Sequence, residues 1–203
     1  VRPGNGSLPD RRWALWGAVA GLCALASYAA LSAISVSPPL AALLTFGFSF
    51  GFTVASLGLY LGVLRDVAPR IGLVAAAANA MAAVELTAML LVQLAVKSAE
   101  SRPAPAFTSI WLGLDVAWDV FGGAGTVLFG LALFRHPRFR PLTAGGGVLL
   151  GALLLVLNIG TFPKPPAEAG LFDIGPFVGL WYIVLSVRVL LVARRGAAPP
   201  TSA

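Results

Sequence analysis

Six apolar runs dominate the sequence, at residues 13–34, 40–64, 71–96, 107–134, 142–161 and 171–193. Each supplies the roughly 20 residues a helix needs to cross the hydrocarbon of a bilayer. Proline gives an independent check on their limits. Of the 15 prolines, only Pro176 falls inside a run, and it lies in the first turns of the sixth. Proline costs about 3 kcal/mol in a helix interior, so this spacing marks the breaks between helices. The expected fold is all-α: a polytopic transmembrane bundle of six spans.

Composition excludes the main alternatives. The 203 residues are 58% hydrophobic and 11% charged, whereas a soluble domain carries about a quarter charged residues. An ordinary soluble enzyme, a nucleic-acid-binding domain and a disordered chain are all set aside. The net charge of +6 does not mark a nucleic-acid surface, because every Lys and Arg except Arg188 lies outside the apolar runs. Cys23 is the sole cysteine, which excludes an internal disulfide, a Cys-rich zinc site and a CxxC redox pair. His136 is the sole histidine, which excludes bis-His haem ligation. Abundant Ala, Gly, Leu and Arg with scarce Lys fit a GC-rich bacterial genome.

Orientation follows from the basic residues. One side of the six-span arrangement holds Arg2, Arg11, Arg12, Arg65, Arg70, Arg135, Arg138, Arg140, Arg194 and Arg195, with Arg188 near the end of the sixth run. The other holds Lys97, Arg102 and Lys164. The expectation is a multi-pass protein of the bacterial cytoplasmic membrane with both termini inside. Residues 1–12 form a basic N-terminal segment and 194–203 a tail. The first run is long for a cleaved signal peptide and is read as a retained helix. Leu22 stands where a lipoprotein signal wants a small residue, and Arg11-Arg12 lacks a twin-arginine context. No convincing repeat relates 13–96 to 107–193.

Small residues recur every fourth position: Gly17 and Gly21; Gly47, Gly51 and Ala55, then Gly58 and Gly62; Gly147 and Gly151. Such stripes let helix backbones approach closely in lipid, and intramolecular packing is expected over a homodimer seam. Trp13, Trp16 and Trp111 near the run ends are expected to sit at the membrane interface.

The informative residues are those that are costly to bury. Glu85 lies in the third run and Asp115 and Asp119 in the fourth; an ionised carboxylate at mid-membrane costs about 2.5–3.5 kcal/mol even on the forgiving insertion scale. At 1.5 Å per residue, Glu85 and Asp119 both fall about 2 Å to the external side of the midplane, a common depth that would let them face one another. Asp115 lies one turn farther out on the Asp119 face, which continues through Gly122, Thr126 and Gly130. Asn79, Gln93 and Asn158 add neutral polar groups. Arg188 is expected to snorkel toward the inner headgroups and leave these acids without a counter-ion. Acids so clustered are protonated, or hold a proton or metal ion between them.

Two enzymatic patterns are rejected. Asp115-Val-Ala-Trp-Asp119 is a lone DxxxD without the second motif and adjacent basic residues of membrane prenyltransferases. The YD and GxGD signatures of intramembrane aspartyl proteases are missing. The external hairpin Asn158-Ile-Gly-Thr161-Phe-Pro163-Lys164-Pro165-Pro166, followed by Gly170-Leu-Phe-Asp173-Ile-Gly175-Pro176, reads as a rigid connection with Asp173 capping the sixth helix. Its sharper reading is a lid over Asp115 and Asn158.

The six runs, the basic loop Arg135-His-Pro-Arg-Phe-Arg140 and the stretch TFPKPP…GLFDIGPFVGLWY are similar to a bacterial membrane family known only as a domain of unknown function. The resemblance covers most of the chain and implies the six-span architecture; it brings no activity or catalytic residue.

Two functions remain open. One is a small proton- or cation-coupled carrier or channel. It uses Glu85, Asp115 and Asp119 as ion-binding candidates, with Asn79, Thr126, Asn158 and Asp173 in support. The other is a non-catalytic membrane module that binds a lipid, small molecule or partner protein, with the acids setting helix register. A membrane enzyme ranks third. No catalytic residue, cofactor or metal-ligand set is assigned. The expected surroundings are the lipid bilayer and a proton or small cation, with no nucleic acid.

Overall fold

The computed structural model describes residues 8–33, 35–98, 105–139 and 141–195. Arg2, Arg102, Arg140 and the tail beyond Arg195 lie outside the described residues, as do most of the N-terminal segment and the middle of the third-to-fourth connection. The described residues form six α-helices: α1 (Arg11–Ala33), α2 (Pro38–Leu59), α3 (Pro69–Ser98), α4 (Pro105–Leu133), α5 (Pro141–Thr161) and α6 (Gly175–Arg195). No strand occurs among the described residues. All six helices are long and apolar enough to cross a membrane, as an integral membrane protein requires. Large apolar side chains such as Phe50 (75% exposed) and Leu142 (83%) face outward, where a bilayer would cover them.

The prolines that separate the runs also start the helices. Pro38, Pro69, Pro105 and Pro141 stand at the first positions of α2 to α5, and Pro176 at the second of α6. Proline fits there because the first N–H groups of a helix have no partner within it. α1 begins differently. Asp10 Oδ1 accepts from the backbone N–H groups of Arg12 and Trp13 at 3.0 and 3.1 Å, an N-cap that also opposes the positive helix end. At its other end α2 runs into a π-helical turn, Tyr60–Leu64, closed by Arg65 N–H donating to Tyr60 O at 2.8 Å.

Successive helices are neighbours, and α1 packs on α6 to close the ring. α1 and α2 meet backbone to backbone: a methyl group on Gly17 would stand 2.6 Å from Gly58 Cα, and one on Gly51 2.9 Å from Ala20 O. The α4–α5 seam is equally close, with a methyl on Gly151 lying 2.7 Å from Gly123 O. These small-residue stripes are consumed inside one chain. Gly47 lies apart from the seam, its nearest neighbour being Ser27 Oγ at 3.7 Å from an added methyl. Arg11 Nε donates to Ala193 O at 2.9 Å, which places a cation at the carbonyl end of α6 and ties the ring shut.

The sixth helix starts four residues later than its apolar run. Gly170 adopts φ +79°, and Asp173 Oδ1 accepts from Gly175 N–H at 2.8 Å in a turn that ends where the helix begins. Residues 171–174 therefore extend the α5–α6 connection.

Candidate functional site

The α5–α6 connection covers one end of a cavity of about 140 Å³. Its acidic wall comes from Asp115 and Asp119 on α4, joined by Asp173 from the connection. Tyr28 of α1, Phe48 and Phe52 of α2, Trp118 of α4 and Tyr182 of α6 give the chamber its aromatic lining, and Pro165, Pro166 and Ala167 of the connection also border it. No Lys, Arg or His among the described residues lines it.

Asp119 is 8% exposed. Its Oδ2 accepts from Asn158 Nδ2 at 2.9 Å, and the same Asn158 amide donates to Leu154 O at 3.0 Å. Among the described residues, Asp119 Oδ1 has no hydrogen-bond partner, and neither has the buried Asn158 Oδ1. Asp115, one turn nearer the connection, is half-buried and makes no side-chain hydrogen bond among the described residues. A carboxylate in such surroundings is stabilised by whatever cation or proton donor enters the chamber.

The aromatic residues form one connected wall. Phe48 and Phe52 are stacked with centroids 5.5 Å apart. Trp118 meets them edge-on at 5.8 and 5.9 Å, Tyr182 meets Phe52 at 5.1 Å, and Tyr28 leans on Phe48 at 5.5 Å. Helical spacing explains the arrangement, since Phe48 and Phe52 are four residues apart and share a face.

Beneath the chamber lies a second polar layer. Asn79 Nδ2 donates to Tyr182 OH at 2.7 Å and to Ser56 Oγ at 3.1 Å. Thr126 Oγ1 donates to Gly122 O at 2.7 Å, which leaves the Tyr182 hydroxyl to donate to Thr126 at 3.1 Å. Ser56 in turn donates to Phe52 O at 2.9 Å. Both ends of this chain stop on backbone carbonyls and it ties α2, α3, α4 and α6 together, while the buried Asn79 Oδ1 has no partner among the described residues. Tyr182 belongs to both layers: it floors the outer chamber and also lines a smaller cavity, about 20 Å³, bounded by Ser56, Ser186 and small residues of α1.

The sequence-derived candidates thus divide into groups. Asp115, Asp119 and Asp173 share the chamber; Asn158 touches it through Asp119; Asn79 and Thr126 sit in the layer below. Glu85 joins neither. It is half-buried on α3 and does not line the chamber. Ala82 lies opposite Gly122 and Asn79 opposite Gly125, a register that continues to put Glu85 level with Asp119 along the α3–α4 pair. The correction concerns rotation: Asp119 bonds to Asn158 of α5 and lines the chamber, and Glu85 does neither. Sequence reasoning also passed over the aromatic wall, although the Phe48/Phe52 spacing and Trp118 beside Asp119 were visible signals.

Outside the spans, the α4–α5 loop is organised by His136. The ring is 2% exposed, packs edge-on against Phe139 at 5.0 Å, and its Nδ1 accepts from Arg138 N–H at 3.2 Å. Burial, helped by the Arg138 charge, holds its pKa below the ordinary histidine value. The accepting nitrogen requires the neutral ring.

No family model matches this chain, and neither a curated protein nor a solved structure does.

Proposed function

We propose that the protein is a small membrane carrier that takes a cation into the chamber at Asp115 and Asp119, using one or both carboxylates to exchange it with protons. The observation that supports this reading is the acid-lined chamber in which no cationic side chain among the described residues faces the carboxylates. Buried carboxylates in a membrane protein need a partner, and an exchangeable ion supplies one without fixing it in place. In this reading the chain sits in a bacterial cytoplasmic membrane with both termini inside, as the basic residues favour. The α5–α6 connection is then external and Asp173 stands at the mouth. Glu85 has no part in exchange. The test is proton and monovalent-cation flux in proteoliposomes, comparing native protein with Asp119→Asn.

A second reading has its own support. The hydrogen-bonded layer below Tyr182 ties four helices together under the chamber, as suits a module that binds a ligand without moving it. Saturable cation binding with no flux above empty liposomes favours this module.

A further inference from the structure

We infer that the cation taken by the chamber is a small organic ammonium with a ring-sized apolar body. This deepens the cation-binding reading and rests on it. Three properties of the chamber narrow the class.

The first is donor geometry. A bare metal ion needs several oxygen ligands converging on one point. The three carboxylates are instead spread over a helical turn and a separate loop, and no three His, Cys, Asp or Glu side chains among the described residues are gathered so as to hold a metal. An ammonium needs less, since one carboxylate and a few hydrogen bonds satisfy it. Asp119 offers this: it is 8% exposed, lines the chamber, and is held by Asn158 through one oxygen while the other is unpartnered among the described residues.

The second is the aromatic wall that lines the chamber together with the acids. Phe48, Phe52, Trp118 and Tyr182 form a continuous aromatic surface. Aromatic faces attract a cation through their quadrupole, and they pack an apolar body equally well. A hydrated alkali ion would gain from neither feature.

The third is size. The volume of about 140 Å³ is close to that of engineered cavities of about 150 Å³ that hold a single benzene ring. A single ring is therefore about the size of body the chamber takes, and benzylamine, a ring bearing one aminomethyl group, is a small aromatic probe that adds an ammonium to it.

The experiment measures equilibrium binding of radiolabelled benzylamine, protonated at pH 7, to the purified full chain in detergent. Competition is run with unlabelled benzylamine, benzyl alcohol and potassium chloride. The expected result is saturable binding that unlabelled benzylamine displaces, with benzyl alcohol at least tenfold weaker and potassium without effect at matched ionic strength. Asp119→Asn, a nearly isosteric change, should weaken binding at least tenfold. Phe52→Leu keeps an apolar side chain but removes a π face and should weaken the amine by about fivefold, leaving benzyl alcohol unchanged. Equal competition by the alcohol overturns the ammonium assignment, even if a variant fails to fold. Absence of saturable benzylamine binding, beside proton flux that still requires Asp119, overturns the ligand class and leaves the carrier standing. Benzylamine binding that Asp119→Asn does not alter overturns both.

Discussion

Asn158 Nδ2 donates to Asp119 Oδ2 at 2.9 Å across the α4–α5 seam, the one side-chain bond to this carboxylate among the described residues. Asn158 is itself fixed by the Leu154 carbonyl, so it is a rigid donor that presents Asp119 to the chamber with one oxygen open. A carboxylate aimed in this way is pre-organised for an incoming cation.

Asn158→Leu removes the donor while keeping the branched outline of the side chain. The expected outcome is a loss of about 1 kcal/mol of stability, the range of interhelical hydrogen bonds in membrane proteins, with weaker cation binding because the carboxylate is no longer held. Thermal unfolding in detergent and benzylamine titration read the two effects. Unchanged affinity would show that Asp119 is positioned by other means.

Gly125 is where α4 makes room for the amide of Asn79. A methyl group there would overlap Asn79 Oδ1 and stand 3.2 Å from Ala75 O. Gly125→Ala should destabilise the protein by about 1–3 kcal/mol through overpacking. Asn79→Ala in the same chain should recover part of that loss, a non-additivity that a double-mutant cycle detects. Strict additivity would argue that the two residues do not meet.

His136 gives the loop a pH dependence of definite sign. Its folded pKa is lowered, by burial first and then by Arg138. Above the ordinary value of 6.5 the ring is neutral in both folded and unfolded chains, and its contribution is complete. As pH falls below that value the unfolded chain binds the proton first, so stability declines down to the folded pKa. His136→Gln should remove this component, which is the difference between native and variant melting temperatures at pH 7.5 and pH 5.5. Parallel shifts in the two proteins would rule the histidine out as its source.

Tyr182 separates the outer chamber from the smaller cavity at Ser186. With Cys23 replaced by Ala, Ser186→Cys should resist a charged thiol reagent added from the chamber side. Adding Tyr182→Ala should open the floor and make labelling several-fold faster. Equal labelling with and without the tyrosine would mean that the ring is no barrier.

What the sequence revealed and what it concealed follow from the physics of a chain in lipid. The relative level of neighbouring helices was legible, since a helix rises by a fixed amount per residue and the prolines set its ends; the Glu85 and Asp119 levels agree with the Ala82–Gly122 register. Rotation was not. In water the apolar stripe of a helix shows which face is inside, but in a bilayer the outside is apolar too, so nothing in α3 or α4 alone turns Asp119 toward Asn158 rather than Glu85. The aromatic wall was concealed for the same reason: Phe48 in the core and Phe50 on the lipid-facing side are alike in composition and differ only in direction. The start of α6 was set by Asp173 and Gly170, local turn chemistry that an apolar run overrides when read by hydropathy alone.

The most direct test of the central claim is cation-dependent proton flux into proteoliposomes made with native protein and with Asp119→Asn, each first shown to be folded by its cooperative melt. The carrier account predicts flux in the native vesicles that falls to the level of empty liposomes in the variant. Equal flux in both would contradict it, because the carboxylate at the centre of the chamber would then have no part in moving the ion.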